Sequence, residues 1–113
     1  MPVLSAHAID DPIAFVELEH TFMQTMQRAG TADHLVQVFT REAEHSYWSH
    51  PEYPALLAAL LAWVDTGAAP TPSGIAADCR RFEAAFGPGC HFDPGYAPKP
   101  LDTRVTPRSP PAR

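Results

Sequence analysis

The chain has 113 residues, 45% of them hydrophobic, which suits one small domain or a piece of a larger one. Its formal net charge is -5, from 8 basic and 13 acidic residues, so it offers no electrostatic attraction for nucleic acid or an anionic membrane. No apolar run reaches the ~18 residues that span a bilayer, and the opening Met-Pro-Val-Leu-Ser-Ala-His has neither the basic start nor the long apolar stretch of a signal peptide.

Residues 2–8 (PVLSAHA) form a short, mostly apolar run closed by Asp10, Asp11 and Pro12. This pattern predicts a buried strand, with the proline breaking it and opening a helix. A helix is predicted over 13–29, because Phe15, Leu18, Phe22, Met26 and Ala29 recur at spacings of three and four. Glu17, Glu19, Gln24 and Gln27 fall outside that stripe, and Gly30 is positioned as a left-handed stop. Residues 35–40 (LVQVFT), rich in β-branched and aromatic side chains, predict a second strand. Strand, helix and strand in this order imply a parallel pair.

A second helix is predicted over 51–66. Ser49 and Glu52 have capping-box spacing, Pro51 and Pro54 occupy the first turn, and Gly67 ends the run. Leu56, Leu57, Leu60, Leu61, Trp63 and Val64 make it apolar around most of its circumference, so it calls for more neighbours than this chain supplies. Most of the 13 prolines lie after residue 69. The expectation is a regular part over 1–69, an irregular Pro/Gly-rich extension over 70–103, and a disordered tail over 104–113. Cys79 and Cys90 lie in that extension, where a core is scarce and a disulfide stabilises most. Pairing would imply an oxidising compartment and an exported parent protein, whereas two buried thiols would not. Their spacing is not that of a zinc site.

The loops after two parallel strands emerge at one edge of the sheet, where ligands bind. Here one loop holds Asp10 and Asp11 and the other holds His45. A carboxylate accepting a hydrogen bond from an imidazole fixes its tautomer and stabilises the imidazolium formed in proton transfer. In the bland reading Asp11 is a turn or cap residue and His45 a surface histidine, with Asp10 an alternative acid. The remaining histidines, His7, His20, His34, His50 and His91, read as structural or solvated, and Tyr47 and Trp48 as packing on the second helix or lining a pocket. A metal site on His7, Asp10, Asp11 and His45 lacks any motif to order it.

The Asp-Pro after a strand, the amphipathic helix, the second strand, the run EHSYW and the apolar helix ending AWVDTGAAP resemble the C-terminal end of the α/β-hydrolase family over residues 2–70. The resemblance implies an α/β fold, with these elements as its last two parallel strands, crossover helix and C-terminal helix. It implies Asp11 as the triad acid and His45 as the triad histidine, in the family order of nucleophile, acid, histidine. A parent of this kind hydrolyses an ester or related acyl bond in a small-molecule substrate through an acyl-enzyme, with no cofactor. Two features depart from the pattern. Glu44 precedes the histidine where many members have glycine, and no G-x-S-x-G elbow occurs around Ser5, Ser46, Ser49, Ser73 or Ser109. On this expectation the chain is a hydrolase fragment whose partner is the missing N-terminal part. The other expectation is a stand-alone interaction module that keeps the hydrolase ending without its chemistry.

Overall fold

The computed structural model describes residues 1–106. Strand β1 (Val3–Ala8) lies parallel to β2 (Leu35–Thr40), in register from Val3↔Leu35 to Ala8↔Thr40. The pairing continues beyond the strands, through Ile9 N–H to the Thr40 carbonyl at 2.9 Å and Asp10 N–H to the Glu42 carbonyl at 3.1 Å. Parallel neighbours need a long crossover, and helix α1 (Leu18–Arg28) supplies it. With α2 (Glu52–Thr66) and α3 (Pro72–Phe86), two parallel strands and three helices make a mixed α/β arrangement.

The crossover helix starts five residues later than the periodicity predicts. Asp11 accepts hydrogen bonds from the amides of Ile13 and Ala14, and this turn holds the chain out of the helix. Tight turns from Leu18 to Phe15, Glu19 to Val16 and His20 to Glu17 then lead into α1. Phe15 therefore leaves the helical stripe, and Val16 joins Ile9 and Phe39 in the core, with Tyr96 packed on them. The two glutamates outside the apolar stripe are both engaged. Glu19 accepts from Ser5 Oγ at 2.7 Å and Gln37 Nε2 at 2.9 Å, which docks α1 on the sheet. Glu17 is buried and pairs with Arg104 at 3.2 Å. Gly30, at φ +72°, terminates the segment as the sequence predicts.

The irregular extension expected over 70–103 contains a 15-residue helix, α3. Proline density concealed it, but residues 73–87 hold no proline, and Ile75, Cys79, Phe82 and Phe86 keep helical spacing. Thr71 caps it by accepting from the Gly74 amide at 3.0 Å, and Pro72 stands at the first turn, where its missing N–H costs nothing. Helix α3 packs against α2. The expected lack of neighbours for α2 is thus met on one side, where Ala55 and Trp63 are buried. The other side is open: Tyr53, Leu57, Leu61 and Val64 are 47, 58, 53 and 61% exposed.

After α3 the chain returns to the far edge of β2. Phe92 bridges Thr40 in antiparallel fashion, Arg41 N–H donates to the His91 carbonyl, and Asp93 N–H donates to the Phe39 carbonyl. The Tyr96 ring meets Phe39 edge-on at 5.2 Å. The Cys79–Cys90 disulfide, with Cα atoms 5.9 Å apart, ties this return to α3. Gly89 is required beside it, since a Cβ there would lie 2.8 Å from the Ser49 Cβ. Of the tail expected to be disordered, Arg104 is held by Glu17 and lies 5.0 Å from the Phe15 ring, while 107–113 fall outside the described residues. No described helix is long and apolar enough to cross a membrane.

Replacing both cysteines by serine should lower unfolding free energy by about 2–3 kcal/mol in urea titrations, through the lost loop constraint on the unfolded chain. A thiol assay on the unfolded, unreduced wild-type chain should detect no free cysteine.

Candidate active site

Each strand exit places one side chain in the site. Asp11 follows β1 by three residues and is held by its own turn, Oδ1 accepting from Ile13 N–H at 2.8 Å and Ala14 N–H at 3.0 Å. Its Oδ2 lies 2.8 Å from His45 Nδ1, on the loop after β2. An ionised carboxylate only accepts, so Nδ1 carries a proton, and in the neutral form of the ring Nε2 carries the lone pair. Asp11 is the acid that meets His45; Asp10 is exposed at the surface.

The Asp11 side chain is 4% exposed and that of His45 is 40% exposed. Burial pushes the Asp11 carboxyl up, but hydrogen bonds from the Ile13 amide, the His45 ring and the Ala14 amide, with the attraction of a charged His45, hold it below its ordinary value of 3.8. Asp11 is therefore ionised at neutral pH, the state in which it orients an imidazole and stabilises its cation.

A cleft of about 240 Å³ opens beside the pair, lined by Ala6, His7, Ala8, Ala14 and residues 45–48. His7 donates from Nδ1 to the Ala8 carbonyl at 2.8 Å, a structural role. Trp48 meets Tyr53 of α2 edge-on at 5.4 Å, so it packs on the second helix while also lining the cleft. Tyr47 is exposed at the rim. Ser46 has φ +56°, a left-handed conformation that is uncommon for a residue with a side chain and that turns the loop immediately after His45. Ser5 is committed to Glu19.

No cluster of three or more metal-ligating side chains forms among the described residues, so His7, Asp10, Asp11 and His45 do not assemble the metal site considered from sequence. Two features escaped the sequence reading. His91 and Glu42 form a second histidine–carboxylate pair at 2.7 Å, exposed to solvent and joined only by the fold. Glu52 makes its expected capping contact, accepting from the Ser49 amide at 3.0 Å, but is also fully buried and bonded to Thr40 Oγ1 at 2.6 Å. No protein-family model, curated protein or solved structure matches the chain.

Because Asp11 is depressed in the folded state, its stabilisation is complete above pH 3.8 and is lost as pH falls through the lower folded-state value. Asp11→Asn should flatten the acid limb of a stability–pH curve measured by urea unfolding. Asp11→Ala should cost about 1–3 kcal/mol at pH 7, because it strands the Ile13 and Ala14 amides and the His45 ring.

Proposed function

We propose that this chain supplies the acid and the histidine of a serine-hydrolase triad of the α/β-hydrolase kind, acting on an ester or related acyl bond. The observation that carries the reading is the 2.8 Å contact between Asp11 and His45 Nδ1 at the exit edge of two parallel strands, beside an open cleft. In that role His45 Nε2 takes the proton of a serine hydroxyl as it attacks the acyl carbon, and returns it to the leaving group. Asp11 keeps the proton on Nδ1 and stabilises the imidazolium. The apolar walls around Ala6, Ala8, Ala14 and Trp48 are suited to an acyl group rather than a charged one.

His45 has no hydrogen-bond partner other than Asp11 among the described residues, and the proposed nucleophile and its oxyanion donors come from a further stretch of polypeptide. Two surfaces support such a completion. The outer edge of β1 has no strand paired to it among the described residues, and an unpaired edge invites another strand. Tyr53, Leu57, Leu61 and Val64 form a stripe on α2 beyond what singly exposed apolar residues explain.

Residues 1–113 alone should therefore show no hydrolysis of a simple activated ester above background. Addition of a hydrolase segment bearing a G-x-S-x-G elbow, fused or as a separate chain, should restore it. His45→Ala should then reduce the restored rate by about 10³-fold or more. Light scattering should show self-association of residues 1–113, relieved by the pair Leu57→Lys and Leu61→Glu. A soluble monomer that unfolds cooperatively, with no activity on complementation, would favour the stand-alone interaction module instead.

A further inference from the structure

The loop that carries His45 has little of its own to hold it. Glu44, His45, Ser46 and Tyr47 are exposed, and outside helices and strands no backbone–backbone hydrogen bond involves residues 43–48 among those described. Apart from the Trp48 ring on Tyr53 and the His45–Asp11 bond, its position depends on its two ends. One is Thr40, the last residue of β2, and the other is Ser49, just before α2.

Both ends converge on one carboxylate. Glu52 Oε2 accepts from Thr40 Oγ1 at 2.6 Å, and Oε1 accepts from the Ser49 amide at 3.0 Å and from Ser49 Oγ at 2.9 Å. Thr40 and Glu52 are fully buried, and Ser49 is nearly so. No lysine, arginine or histidine pairs with Glu52 among the described residues. A polar group buried without an ionic partner must be satisfied by hydrogen bonds alone. A glutamate in a first helical turn needs no such burial to favour the helix dipole. A hydrocarbon at this position could fill the space but could not join two hydroxyls and an amide. The single proton of Ser49 Oγ is shared between Glu52 Oε1 and the Gly89 carbonyl, beside the Cys79–Cys90 disulfide, so the junction sits against the return segment after α3.

We infer that Glu52 is a positioning residue for His45: its buried carboxylate closes the base of the 41–48 loop by joining Thr40 to Ser49, and thereby holds the imidazole against Asp11. Its catalytic purpose rests on the hydrolase reading above, whereas its placement of His45 does not. Glu52 touches neither the cleft nor the imidazole, so it acts through the loop.

The test is NMR on the isotopically labelled full chain, which needs no hydrolysis. Two signals report the dyad: solvent exchange of the His45 Nδ1 proton and the acid titration of the Asp11 side-chain carbon. Thr40→Val is isosteric and opens one side of the junction, and Glu52→Gln leaves one acceptor oxygen where the carboxylate has two. Both should speed Nδ1 proton exchange about tenfold, and both should move the Asp11 titration upward, the direction produced by His45→Ala. Ile75→Val, on the buried face of α3 and outside the Thr40–Ser49–Glu52 junction, lowers stability and should leave both signals unchanged. If Thr40→Val and Glu52→Gln stay folded with both signals unaltered, the inference is overturned. It is equally overturned if Ile75→Val moves the signals as far, since the effect would then be one of general stability. If Glu52→Gln does not fold, Thr40→Val decides. Signals that respond as expected in a chain that never gains activity on complementation would sink the hydrolase reading and leave the placement of His45 intact.

Discussion

The parallel ladder between β1 and β2 is the constraint on which the rest depends. Parallel strands cannot be joined by a tight turn, so the chain must leave one edge of the sheet, cross it through α1 and re-enter at the other end. Both strands then release their following loops at the same edge. Because the pairing runs on to Asp10 and Glu42, the two loops separate only at the residues that carry Asp11 and the approach to His45. A register slip of one residue would exchange inward and outward side chains and separate the pair.

Three acidic side chains are buried, and each is held differently. Asp11 is held by two amides and an imidazole, and Glu52 by two hydroxyls and an amide. Glu17 has a cation, Arg104, on one oxygen, while its other oxygen is buried with no partner. The first two sets of donors are fixed by backbone turns and short side chains, which leaves little freedom in the carboxylate position. That rigidity passes to the imidazole, because a hydrogen bond orients a ring only as well as its acceptor is itself held.

The two sides of the sheet are treated differently. The outer edge of β2 is covered by the return through His91, Phe92 and Asp93, and the disulfide fixes that return to α3. The outer edge of β1 has no strand paired to it among the described residues, and the open stripe of α2 is apolar. A chain that protects one edge with a cross-link and leaves the other available is consistent with a larger sheet continuing beyond β1. This asymmetry accords with the proposed function, in which the histidine and acid come from here and the nucleophile from elsewhere.

Local chemistry alone determined several features of this protein. Both strands, the stops at Gly30 and Gly67, most of α2 and the meeting of Asp11 with His45 were legible, because each rests on short-range periodicity, on glycine backbone freedom or on the edge rule for parallel strands; the cysteine positions left pairing and two buried thiols both open. Tertiary structure decided the rest. The start of α1 moved because the Asp11 side chain captured two amides that a helix would have used. Helix α3 was hidden because proline content averages over a segment, whereas a helix depends on where the prolines stand. Glu19 docks on the sheet, and Glu52 bonds a strand residue in addition to its capping contact with the Ser49 amide, because their partners, Ser5, Gln37 and Thr40, lie on strands that only the fold brings near. Spacing along a chain can place two residues on one edge, but it cannot say what holds them there; that depended on a buried carboxylate whose hydrogen-bond donors include a strand residue twelve positions away.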